Sequence, residues 1–136
     1  MATTYIIAGS GASTDQWVAT YQTDAAAALP TRTIFTAPVA CVVSAVKYIF
    51  DVTAGAASTI GIYKATGTTA AGTGGTIITA AAMDFATTAR TTGTPALSAT
   101  AADYTMAAGD RLSVAIASGT ATGNAGVNIT VYIVKS

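Results

Sequence analysis

Beyond residue 30 the chain alternates apolar positions with small or hydroxyl-bearing ones, and the alternation breaks at clusters of Gly, Thr, Asn and Asp. A period of two marks strands that set one face on a core and the other toward water. The longest such stretch is CVVSAVKYIFDVT, residues 41–53. Val42, Val46, Tyr48, Phe50 and Val52 share one face with Ser44, while Lys47 and Asp51 fall on the other. STIGIYK points Ile60 and Ile62 inward. RLSVAIAS sets Leu112, Val114 and Ile116 against Ser113, Ala115 and Ala117. GVNITVYIVK repeats the scheme with Val127, Ile129, Val131 and Ile133. TRTIFTAP and TPALSAT are shorter strands, with Pro38 and Pro95 at strand starts or sheet edges. TIITAAAMDFATTAR also stripes a helix through Ile78, Ala82, Phe85 and Ala89; a strand is the preferred reading.

About seven to nine strands without a long helix predict an all-β fold, an antiparallel β-sandwich or barrel. Residues 1–30 carry no sustained period of either kind, and the DAAAALP run is too short for an independent helix. They are read as an extended N-terminal arm, dispensable for folding, preceding a sandwich domain over 31–136. In YTMAAGDRLSV the neighbouring charges Asp110 and Arg111 raise the question of chemistry. Gly109 suits a positive φ and Asp110 suits a bond back to its own backbone, so the pair reads as a turn opening a strand.

Composition narrows the function. The 136 residues suit one domain. Charged residues make up 9% of the chain and six acids balance six bases, which leaves no electrostatic footprint for nucleic acid or an anionic membrane. Roughly a quarter of the residues are Ala and about a fifth Thr, so small residues carry much of the packing and Thr covers sheet faces without charge. His and Glu are absent, so acid–base catalysis would fall to Asp, Lys or Tyr at unusual pKa values. No enzymatic role is expected. Cys41 is the lone cysteine and reads as a small buried hydrophobe. The N-terminus has no basic region and apolar stretch of secretory type, and the apolar segment 39–46 is far short of a bilayer span.

Motifs with chemical meaning fail on detail. IIAGSGAST starts like a dinucleotide fingerprint, but Thr14 stands at the third Gly position and no good helix follows. GTTAAGTGGT lacks the Gly-Lys-Ser/Thr of a phosphate loop and reads as a flexible connection. The Asp residues at 15, 24, 51, 84, 103 and 110 are dispersed; Asp103 and Asp110 could meet across a turn, yet solvated loops explain them better. No metal, cofactor or catalytic residue is assigned. NIT at 128–130 falls inside a strand. No His is present to activate a Ser or Thr nucleophile, and no Ser-x-x-Lys motif occurs. Trp17 and Tyr21 are the candidate partner-binding residues, because large aromatics outside a domain anchor in partner pockets. The same pair would also satisfy a segment folded back on its own sandwich.

The TRTIFTAPVACVVSAVKYIFDV opening, TIGIYK, the ALSATAADYTMAAGDRLSVAIASG block and the closing NITVYIVK together resemble the small jelly-roll capsid cement, or decoration, proteins of tailed bacteriophages. The resemblance spans residues 31–136 and rests on strand order and turn wording; residues 1–30 and the Ala/Thr-rich 66–94 region depart from it. It implies that the fold is a jelly-roll-like antiparallel β-sandwich. It also implies a non-enzymatic virion protein on the outer capsid surface, a homotrimer that bridges copies of the major capsid protein. The competing expectation is a fibre or tail-associated receptor- or carbohydrate-binding module.

Overall fold

The computed structural model describes residues 3–8 (backbone), 15–23, 29–53, 58–85, 89–119 and 126–136. The strands are β1 (Thr3–Ala8), β2 (Gln16–Gln22), β3 (Arg32–Thr36), β4 (Cys41–Ile49), β5 (Thr59–Ala65), β6 (Thr76–Ile77), β7 (Met83–Asp84), β8 (Thr105–Met106), β9 (Arg111–Ser118) and β10 (Asn128–Lys135). A single helical turn, α1 (Ala101–Tyr104), precedes β8. One sheet runs β1-β2-β10-β4-β8 and the other β3-β9-β5-β6, with β7 also on β5; every pairing is antiparallel. If β6 and β7 count as one interrupted strand and β1 is set aside, the first, eighth, third and sixth strands form one sheet. The second, seventh, fourth and fifth form the other. That is the double Greek key of a jelly roll, a two-sheet antiparallel sandwich of the kind the alternation predicts.

The expected arm is corrected. β2 lies inside the sheet, paired residue for residue with β10 on one side and β1 on the other. It is the first strand of the roll. Its pattern is blurred because Val18, itself a strand former, stands outward between Gln16 and Thr20 and makes Trp17, Val18 and Ala19 one apolar run.

The core fills as alternation dictates in β5 and β10: Ile60, Ile62, Ile129, Val131 and Ile133 are buried. In β4 a bulge intervenes. Ala45 opposes Tyr132 and Val43 opposes Ile133, leaving Ser44 as the extra residue, whose hydroxyl donates to the Tyr132 carbonyl at 3.2 Å. A bulge shifts side-chain parity. Val46 and Phe50 therefore face inward as predicted, but before the bulge the buried residues are Cys41 and Val43 rather than Val42. A second bulge in β3 buries the consecutive residues Ile34 and Phe35. Burial raises the Cys41 thiol pKa, and the nearby Asp110 carboxylate raises it further, so Cys41 stays a protonated core residue.

The β9 face expected to meet water is covered. Ser113 and Ala115 are buried beneath residues 66–75, where the Gly72 amide donates to Ser113 Oγ at 2.7 Å. A Cβ on Gly72 would stand 3.0 Å from Thr31 Cγ2 and 3.2 Å from Ala115 Cβ, and its φ is +87°. Only Gly suits so close an approach. Arg111 fixes the same segment by donating to the Gly67 and Thr69 carbonyls at 2.9 and 2.8 Å. The stretch read as a flexible connection is thus a pinned cover. Likewise TIITAAAMDFATTAR forms two short strands with an excursion between them. Ala80 N–H donates to Ala96 O and Ser98 N–H to Ile78 O, so the excursion pairs with the TPALSAT segment, which forms no strand of its own. Ile78, Met83 and Phe85 return to the core, where Phe85 packs edge-on to Phe50 at 4.9 Å.

The Asp110 turn settles as punctuation. Gly109 has φ +90°, and Asp110 Oδ2 accepts the Ala107 amide at 2.9 Å. The turn is stitched to β3's end by Gly109 N–H to Ala37 O and Ala37 N–H to Asp110 O. A structural role predicts that Asp110→Ala lowers unfolding free energy by about 1.5–3 kcal/mol, the worth of a bond to a charged acceptor, in urea melts. A variant as stable as the parent would refute this.

Candidate docking face

No concave cluster of acids and bases forms in the described residues, and none of their His, Cys, Asp or Glu groups gathers in threes for a metal. Asp103 and Asp110 do not share a site: Asp103 accepts Ser98 Oγ at 2.5 Å, and Asp110 holds its own turn. The surface feature that remains is the outer face of the β1-β2-β10-β4-β8 sheet. Pairing brings together rows from three distant parts of the chain: Val18, Tyr132 and Ala45 in one, Thr20, Thr130 and Lys47 in the next, Gln22, Asn128 and Ile49 in the third.

Three shallow hollows run along β10 on this face. The first, about 370 Å³, is walled by Trp17, Val18, Ala45 and Tyr132, among others. The next, about 230 Å³, shares Lys47 and Tyr132 with it, and a third of about 260 Å³ shares Ile49 and Asn128 with the second. They form one trough with Tyr132 near its middle. The Lys47 ammonium lies 5.9 Å from the Tyr132 ring centre, a cation–π distance. Lys47 and Asp51 supply the charge along the trough, and the rest is amide, hydroxyl, aliphatic and aromatic surface.

The two predicted partner-binding residues separate. Tyr21 is fully buried in its own core, with its hydroxyl donating to the Pro30 carbonyl at 3.1 Å. Burial pushes its pKa up to about 12, with the Arg32 charge pulling the other way. Of the two readings the sequence left open, Tyr21 follows the fold-back one. Trp17 is half-buried against Phe35, ring centres 6.1 Å apart, and reaches the wall of the first hollow. Tyr132 was missed. Within NITVYIVK it occupies an outward position with no distinguishing neighbour, and only register places it beside Val18 and Ala45.

No protein-family model matches the chain, and no curated protein sequence matches it. Among solved structures, a chain of the cyanophage Pam1 capsid asymmetric unit is similar to this one, with 16% identity, a TM-score of 0.47, and coverage of 96% of this chain and 93% of that one.

Proposed function

We propose that this chain is a non-enzymatic virion structural protein, a capsid cement or decoration protein. It binds the outer surface of the major capsid protein lattice as a homotrimer and docks through the trough on the β1-β2-β10-β4-β8 sheet. The observation that carries the reading is this nearly uncharged trough, centred on Tyr132, on a rigid jelly roll whose other sheet is covered by residues 66–75. A large aromatic with an aliphatic surround is the usual anchor of a protein interface. The resemblance of residues 31–136 to phage cement proteins supports the same reading. Three equal contacts per trimer multiply through effective concentration, so a modest single site holds firmly to a symmetric shell.

The test is occupancy of purified heads lacking this protein. Wild-type protein should saturate the shell and raise its heat resistance, while Tyr132→Asp, folded by circular dichroism, should bind at least 10-fold more weakly. Equal binding of the two proteins would defeat the docking assignment. The trough's amides and its aromatic ring also favour a second reading, a fibre- or tail-associated carbohydrate-binding module. Saturable binding of a neutral oligosaccharide, lost in Tyr132→Asp, with no binding to heads, would install it instead.

A further inference from the structure

The sandwich has four sheet edges, and three of them are blunted. β8 is two residues long, and its Thr105 carbonyl accepts Lys64 Nζ at 2.9 Å, as does the adjacent Ala102 carbonyl. β3 carries Arg32, is bulged at Ile34, and lies between Pro30 and Pro38. β6 and β7 are two residues each, with the 78–82 excursion between them. Short length, charge, proline and bulges are the devices by which sheets avoid pairing with other chains.

β1 has none of them. It is six residues, TTYIIA, without charge or proline, paired to β2 in unbroken register, and it ends its sheet. Among the described residues no strand pairs with its open side. A strand of this length offers backbone donors and acceptors over about 20 Å.

We infer that β1 is a pairing edge and that its partner is β1 of a second copy, antiparallel across a two-fold axis, joining two sheets into one of ten strands. The occupant follows from matching. A head-to-tail contact needs a second, different edge of equal length and unbroken register, which the described residues do not offer. A two-fold contact needs only β1 twice. The inference does not rest on the capsid reading. If both hold, β1 pairing links one trimer to the next across a two-fold axis of the shell.

The test uses the full chain alone, without capsids. Light scattering and sedimentation equilibrium should show mass rising with concentration to an even multiple of 13.4 kDa, with hydrogen exchange at β1 amides slowing by at least 10-fold as pairs form, while β3 and β8 amides stay unchanged. Tyr5→Lys, at the register position opposite the outward Thr20 near the middle of β1, sets like charges close to the two-fold axis and should shift the association to at least 10-fold higher concentration. A monomer or a bare trimer at every concentration would overturn the inference, and so would assembly that leaves β1 exchange unchanged. Should Tyr5→Lys fail to fold, the wild-type mass and exchange data decide the matter.

Discussion

A chain lacking residues 1–30 is expected not to fold. The deletion removes β2 from between β1 and β10 and takes Ala19, Tyr21 and Leu29 out of the core. Loss of a buried large aromatic costs about 3–5 kcal/mol alone, against a total stability on the order of 5–15 kcal/mol. The deletion also turns β10, with Ile129, Val131 and Ile133 buried on its inner face, into an open apolar edge. Such an edge aggregates. The truncated protein should be insoluble or show no cooperative thermal transition. A deletion of residues 1–8 removes only the terminal strand and should keep a cooperative melt, with Tm lowered. A soluble 31–136 fragment with a cooperative thermal melt would show that β2 is not part of the roll.

That expectation reverses what the N-terminal sequence suggests, and the reason is instructive. Strands are legible when one face is polar. β10 has that contrast, and its buried residues Ile129, Val131 and Ile133 are those that alternation names, whereas in β5 Tyr63 and Ala65, on the opposite parity, are buried as well as Ile60 and Ile62. β2 has it at Gln16, Thr20 and Gln22, but Val18 interrupts the outward set and joins Trp17 and Ala19 in one apolar run. Parity also fails silently at bulges: nothing in CVVSAV announces that Ser44 is the extra residue, so the first half of β4 is read onto the wrong face. The turn at Gly109 and Asp110 is legible because its chemistry is local. The trough is the opposite case. Val18, Ala45 and Tyr132 become neighbours only through the register of three strands, a long-range property that no single segment carries.

Tyr21 yields the second large effect, and it separates a core residue from a partner anchor. The phenol is buried and its pKa raised to about 12, whereas in the unfolded chain it ionises near 10. The folded state therefore holds the proton more tightly. Its contribution is whole below pH 10 and is lost as pH climbs from about 10 to 12. A gap of about two units corresponds to a loss on the order of 2–3 kcal/mol across that window. Burial raises the Tyr63 phenol as well, which adds to the slope in the same direction. Tyr21→Phe keeps the ring and loses the bond to the Pro30 carbonyl, a group exposed enough to be solvated instead. It should cost about 1 kcal/mol at pH 7 and melt at higher temperature than wild type by pH 12. Tyr21→Ala should cost about 3–5 kcal/mol at every pH. Parallel pH–Tm curves for wild type and Tyr21→Phe would mean that the phenol ionises as freely folded as unfolded, and that the ring is not sealed in the core. If the curves cross, Tyr21 is a pillar between β2 and the 29–30 segment. The docking contacts proposed for this chain then fall to side chains that face outward, with Tyr132 first among them.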